Sequence, residues 1–149
     1  MSDTNERPNE ADPIDLLRTL IPEVAAGTTR VRALAYLPGR GLKVAVAASE
    51  PWDDALATVI GHQGARVQGI RAAFAVPRVE ALVWISDPAM LIRRALAPAS
   101  VLAVKLTSGH HAEVTVGDSE WDAAHGKDGV NVALAEQLTG WHLTLRRAG

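Results

Sequence analysis

The sequence of 149 residues contains no cysteine, which excludes disulfide bonds and thiolate-bound metal sites. It also lacks the run of about 20 apolar residues that a membrane-spanning helix requires, because charged residues or glycine interrupt each hydrophobic stretch. The first residues, Met1 to Pro8, are polar and contain no apolar core of a secretion signal. We therefore expect a cytoplasmic protein that does not enter a membrane.

A basic excess is also missing, since the formal net charge is −2 and the isoelectric point is near 6.2. Dedicated nucleic-acid-binding proteins usually carry a positive surplus that attracts phosphates over long range. Only the middle third of the chain has more basic than acidic residues. The composition therefore argues against a protein that binds nucleic acid mainly through its overall charge.

Patterns typical of catalysis and of metal binding are absent as well. The five histidines include no pair at the i, i+4 spacing that zinc enzymes combine with a carboxylate. The sequence has no G-x-S-x-G nucleophile motif, and Gly126-Lys127 lacks the upstream glycine of a phosphate-binding P-loop. We therefore expect no enzymatic activity, no bound metal and no cofactor.

The distribution of apolar residues predicts a mobile tail with a short helix over residues 1–20, followed by a first module over residues 21–87. The tail is too polar to offset the entropy of ordering, and Asp12 with Pro13 is suited to begin a helix that ends near Pro22. Apolar periodicity and turn residues divide the module further. Its predicted elements are a hairpin over 29–48, helices over 53–60 and 65–74, and a strand over 79–85.

A second module, over residues 88–149, repeats the order of the first. Adding 65 to the numbers of Gly61 and Gly64 gives Gly126 and Gly129, and the apolar residues after each pair of glycines also align. The linker between the modules is very short, because proline at position 88 favours the start of a new helix. The predicted fold class is therefore α+β, with two αββααβ modules packed together.

Each module places a Gly-x-x-Gly loop between two helices, after a hairpin and before a strand. This is the position of the loop with which type II KH domains clamp about four nucleotides of a single strand. Glycine lets the backbone approach a sugar-phosphate closely, and the following helix offers unpaired N–H groups to the phosphate. In an alternative interpretation, the glycines only permit a tight corner between the helices and contact no ligand.

Segments around and between the loops share a further pattern: Ile21-Pro22-Glu23-Val24, Pro38-Gly39-Arg40, Gly64-Ala65-Arg66-Val67, Leu82-Val83-Trp84-Ile85, Gly126-Lys127 and Leu138-Thr139-Gly140-Trp141. Over roughly residues 21–146, this pattern resembles the KH pair of the transcription factor NusA. The resemblance implies a non-catalytic protein that binds single-stranded RNA during transcription elongation, termination or antitermination. We also expect proteins of the transcription complex as partners, but contact with the polymerase itself does not follow from the resemblance. We expect a monomer.

The loops and the resemblance together predict the residues that contact RNA. Arg66 matches the family motif, whereas Arg71 is chosen for its charge alone. In the second loop Asp128 would oppose a phosphate with Lys127 as its only basic neighbour, so we expect the first loop to dominate. A second hypothesis is a protein-interaction module that kept the KH scaffold and lost most RNA affinity. The predicted contacts are Gly61, His62, Gln63, Gly64, Arg66, Arg71, Gly126, Lys127, Gly129 and Asn131.

Overall fold

The computed structural model describes residues 12–148. The tail predicted for the first dozen residues therefore lies almost wholly outside the described part of the chain. The described part begins with a module in which helices pack against a three-stranded sheet. The elements of this first module are α1 (Pro13–Leu20), α2 (Pro22–Ala26), β1 (Thr29–Leu37), β2 (Gly41–Ala48), α3 (Ala55–Ile60), α4 (Ala65–Phe74) and β3 (Val79–Val83).

The second module repeats this arrangement with six elements. In each sheet the first two strands are antiparallel, and the third strand pairs in parallel with the second. The second module thus has the predicted αββααβ order, and the first has the same order with one more helix, α2, before β1. The α+β fold class is confirmed. Among the helices of residues 12–148, none is long and apolar enough to cross a membrane. The elements are α5 (Pro88–Ala95), β4 (Ala103–Thr107), β5 (His111–Val116), α6 (Trp121–His125), α7 (Val130–Thr139) and β6 (His142–Arg147).

Several elements begin or end at other residues than the sequence predicts. The carboxylate of Asp54 accepts a hydrogen bond of 3.0 Å from the Ala57 N–H and caps α3, so this helix begins at Ala55 rather than at residue 53. Pro22 not only follows the first helix but also occupies the first turn of α2, a helix that the sequence did not predict. The strand predicted to reach residue 85 ends at Val83.

The helix that the sequence placed before the first module packs into the core of that module. Leu17 of α1 and Ile21 are each only 1% exposed. They lie in one apolar cluster with Leu42 and Val44 of β2 and Ile70 of α4. Because α1 shields this cluster from water, it contributes hydrophobic stabilisation to the first module.

A second apolar cluster is shared by the two modules. Ala35 of β1 and Ala45 of β2 are fully buried and belong to the same cluster as Ile92 of α5, Leu134 of α7 and Val114 of β5. Alternate residues of a strand point to opposite faces, so the first sheet carries its own helices on one face and the second module on the other. The predicted packing of the modules against each other is confirmed.

A glycine in the hairpin of the first module allows α7 to approach it closely. A Cβ atom on Gly41 would lie only 2.9 Å from Cδ1 of Leu134. The Gln137 side chain of α7 accepts a hydrogen bond from the backbone N–H of Tyr36, which lies on the neighbouring strand β1. The docked helix therefore satisfies a donor at the edge of the first sheet, and it sets the position of the second glycine loop against the first module.

Candidate nucleic-acid interface

The two glycine loops, over residues 61–64 and 126–129, have nearly the same backbone conformation. The first glycine has φ and ψ of 79° and 171° in one loop and 75° and 173° in the other. Gln63 and Asp128 occupy the third position with φ of 54° in both, and the second glycine has φ of 77° in both. The internal repeat seen in the sequence is therefore also a repeat of local geometry.

The two glycines of each loop have different structural roles. A Cβ on Gly61 would lie 2.7 Å from the backbone nitrogen of Arg66, and a Cβ on Gly126 would lie 2.7 Å from that of Asn131. The first glycine is thus required by the turn itself, in agreement with the interpretation that invokes a tight corner. A Cβ on the second glycine of either loop would meet no atom closer than 3.9 Å. Its outer side is open to a ligand.

Each loop leads directly into a helix of ten residues, α4 in the first module and α7 in the second. Neither helix has a side-chain N-cap, since the residue at that position is a glycine in both. The first N–H of each helix is bonded within its loop, Ala65 to the His62 carbonyl and Val130 to the Lys127 carbonyl, but the positive end of the helix dipole faces the loop. This arrangement can bind an anion such as a phosphate.

Arg66, a predicted contact, is engaged within the first module. Its Nη1 donates hydrogen bonds to Oε1 of Glu23 (2.8 Å) and to the carbonyl of Thr58 (3.0 Å). A hydrogen bond within Glu23 and the one from Arg66 lower the pKa of the Glu23 carboxyl, so this partner is ionised at neutral pH. Arg66 therefore ties α4, which follows the loop, to α2 and α3.

Asn131, another predicted contact, occupies the same position in the second module and lies in the interior. It is 6% exposed, and its amide nitrogen donates to the carbonyls of Leu96 (3.0 Å), Ala123 (3.2 Å) and Ala124 (3.0 Å). Ala123 is the counterpart of the Thr58 that Arg66 contacts. The structure places both predicted contacts behind their loops, where they hold the preceding helix.

Other predicted contacts lie at the surface. His62 and Gln63 are exposed at the tip of the first loop, and Lys127 is exposed in the second. Arg71 is exposed on the last turn of α4, about 10 Å along the helix from Gly64 and on the same face, since seven residues make two turns. A strand of RNA that passed the first loop could therefore reach Arg71.

Arg40 is a residue near the second loop that sequence reasoning missed. Its guanidinium donates to the carbonyls of Lys127 (3.3 Å) and Asp128 (3.2 Å). The prediction that Lys127 is the only basic neighbour of Asp128 is therefore wrong. Pro38-Gly39-Arg40 was visible as turn chemistry, but nothing in the sequence indicated which loop this turn would meet.

A cleft of about 630 Å³ separates the hairpin turn of the first module from the second loop. Its lining carries both signs of charge, with three basic residues (Arg40, Arg78 and Lys127) and three acidic ones (Glu80, Asp122 and Asp128). Within residues 12–148, no three histidine, aspartate or glutamate side chains are grouped so that they could hold a metal ion. The side chains that the two modules bring together are thus suited to hydrogen bonding and charge attraction.

Comparison with known proteins places these features in a family. The model of the NusA-like first KH domain matches residues 13–84, and that of the NusA-like second KH domain matches residues 88–149. The transcription termination/antitermination protein NusA of Thermus thermophilus is 37% identical over 134 residues, covering 89% of this chain and 35% of that protein. NusA of Mycobacterium bovis is 32% identical over 128 residues, covering 85% and 37%.

The chain thus spans about a third of the length of the curated relatives it matches. The crystal structure of APE1850 has the same fold, with a TM-score of 0.64 over 90% of this chain and 95% of that one. At 17% identity this likeness concerns the fold alone. The two domain matches follow one another along the chain and together cover most of it. The chain therefore belongs to the NusA-like KH family, as a first KH domain followed directly by a second.

Proposed function

We propose that this chain binds single-stranded RNA, without catalysing a reaction, and acts in transcription elongation, termination or antitermination. One observation carries the proposal: each module presents an open glycine at the uncapped start of a ten-residue helix. The printed names of its relatives, which are transcription termination/antitermination proteins, support the process. Proteins of the transcription complex are further proposed partners, and the proposed state is a cytoplasmic monomer.

In this proposal the first loop makes the main contact with the phosphate backbone. The open face of Gly64 and the positive end of the α4 dipole receive a phosphate, while His62 and Gln63 contact the neighbouring sugar or phosphate. Arg71 attracts a phosphate further along the same face. Arg66, with Asn131 in the second module, acts indirectly by fixing the helix before each loop.

A second candidate function, a module that binds proteins, is favoured by the loop between β2 and α3. Trp52 in this loop is 77% exposed, and Glu50 and Asp53 beside it are exposed carboxylates. The carboxylates repel a phosphate backbone. Together with the exposed aromatic ring they suit a basic segment of a protein. The RNA measurements below distinguish the two candidates, because a protein-binding module would show no dependence on the glycine loops.

Replacing Gly64 with Asp should weaken RNA binding about tenfold, because a carboxylate about 6 Å from a phosphate costs roughly 1.4 kcal/mol at an effective dielectric of 40. The Cβ would meet no atom closer than 3.9 Å, and the backbone strain that any side chain has at the φ of 77° is smaller for aspartate than for most residues. Titration of a fluorescent single-stranded RNA measures the affinity.

The matched control is Gly64→Asn, which has the same shape and the same tolerance of positive φ but no charge. We expect this variant to bind several-fold more tightly than Gly64→Asp. If the two variants bind RNA equally well, no phosphate lies beside Gly64 and the proposed site is wrong.

Replacing Asp128 with Asn should strengthen binding by up to about tenfold, because it removes a similar repulsion from the second loop. Asparagine also tolerates the φ of 54° at this position. Asp128 does not cap α7 through its side chain, so the melting temperature should stay near that of the wild type. Asp53→Asn, which removes the same charge from an exposed residue outside both loops, is the control. An unchanged affinity in Asp128→Asn alone would mean that RNA does not pass the second loop.

A further inference from the structure

Arg40 stands in the hairpin turn of the first module but contacts the backbone of the second glycine loop. The turn is closed by a hydrogen bond of 2.8 Å from the Arg40 N–H to the Leu37 carbonyl, and Gly39 supplies the positive φ of 75°. From this turn the guanidinium reaches two successive carbonyls, those of Lys127 and Asp128. A residue of one module therefore supports the loop of the other.

The first loop has no corresponding support. Among the described residues, no side chain of the second module donates or accepts a hydrogen bond at residues 61–64. That loop is held from within its own module through Arg66. The two loops have the same backbone, yet only the second depends on the docking of the modules.

The contact with Arg40 has two physical consequences at the second loop. Arg40 fixes the carbonyls of Lys127 and Asp128, and the same loop contains the hydrogen bond of 3.1 Å from the Gly129 N–H to the Gly126 carbonyl. A guanidinium also has five N–H donors, so donors remain for an anion after the two carbonyls are bound. Its charge adds to that of Lys127 and offsets Asp128.

We propose that the second glycine loop is a composite phosphate site, in which Arg40 of the first module both positions the loop and contacts a phosphate of single-stranded RNA. The RNA part of this inference rests on the proposed function, whereas the positioning part does not. Phosphates along a strand that crosses from the first module to the second would meet Arg40 and Lys127 together. The second module alone would lack half of this positive charge.

Two variants of the full chain test the proposal, with a third as control. Arg40→Ala removes the charge and the carbonyl contacts. Arg40→Lys keeps the charge but lacks the guanidinium Nη2 that contacts both carbonyls. Arg30→Ala removes an exposed charge at the end of β1 that lies away from the turn. Amide hydrogen exchange, measured without RNA, reports how firmly the second loop is held in place. We expect the Gly129 and Val130 amides to exchange faster in both Arg40 variants and at the wild-type rate in Arg30→Ala.

RNA titration at two salt concentrations reports the phosphate contact. Arg40→Ala should weaken binding about threefold to tenfold and make the slope of log affinity against log salt shallower by about 0.7, the value of one phosphate on a single strand. Arg40→Lys should retain most of the slope, because its ammonium still neutralises a phosphate. A purely structural role of Arg40 would leave the slope unchanged.

The outcomes separate this inference from the proposed function. If the wild type binds no RNA, the proposed function fails, and hydrogen exchange still decides whether Arg40 positions the second loop. If the wild type binds RNA and Arg40→Ala matches Arg30→Ala in exchange, affinity and salt slope, the inference is overturned and the proposed function stands. Faster exchange with an unchanged slope would likewise overturn the composite site, leaving Arg40 a structural residue only.

Discussion

Replacing Asn131 with Asp is expected to lower the free energy of unfolding by about 3 kcal/mol, because a buried carboxylate would face carbonyls that now receive hydrogen bonds. The amide nitrogen of Asn131 lies 3.0 to 3.2 Å from three carbonyl oxygens and is the donor for all of them. Aspartate has the same shape but brings a negatively charged oxygen to this point. Urea denaturation of wild type and variant, fitted with a common slope, measures the difference.

The corresponding change in the first module, Arg66→Ala, provides the comparison. Arg66 also holds the helix before its loop, but its side chain is 33% exposed and water can replace its hydrogen bonds. We therefore expect a smaller loss, about 1 kcal/mol. If Asn131→Asp were no more destabilising than Arg66→Ala, the three hydrogen bonds of the buried Asn131 side chain would not stabilise the second module as proposed.

The sequence predicted the parts of the site that depend on local order. Both loops were found because glycine has a backbone role that few residues can replace, and because the same spacing occurs twice. The order of helices and strands followed from short-range patterns such as the turn at Pro38-Gly39 and the apolar positions of α4. The short helix α2 was missed because five residues are too few to show a helical period.

The roles of individual polar side chains could not be read from the sequence. Asn131 and Arg66 follow a Gly-x-x-Gly loop, where a polar residue suggests ligand contact, yet both side chains turn inward to carbonyls of the preceding helix. Arg40 was assigned to a turn, but its partner lies 87 residues away along the chain. Such contacts depend on how the modules dock, which is decided by the shared apolar cluster rather than by any local motif.

Lys43 is the clearest example of a side chain whose role comes from docking. In the sequence it belongs to an apolar run, which predicted a strand but not the direction of the ammonium group. In the structure Lys43 is fully buried where the modules meet. Its Nζ donates to the carbonyl of Ala97 (2.7 Å) in the second module and lies 2.6 Å from Oε1 of Glu80.

Lys43→Ala is therefore expected to destabilise the protein by about 3 kcal/mol, because it leaves a cavity between the modules where the long side chain is now fully buried. Lys43→Met is the matched variant, since it fills most of the same volume without a charge. Glu80 keeps its ion pair with Arg78 (2.8 Å), so we expect Lys43→Met to cost far less, or even to stabilise the protein. Thermal and urea unfolding of both variants measures this difference, and equal losses would contradict it.

The pH dependence of stability tests the cost of burying this charge. Burial lowers the pKa of Lys43 in the folded protein, and Glu80 opposes the shift only in part. Between that lowered pKa and the unfolded value of about 10.4, the unfolded chain binds more protons than the folded one, so stability rises with pH. The cost of the buried charge is complete below this window and is relieved within it. The wild type should therefore gain stability relative to Lys43→Met as the pH rises through the alkaline range, whereas a constant or falling difference would show that the ammonium is fully compensated by its partners.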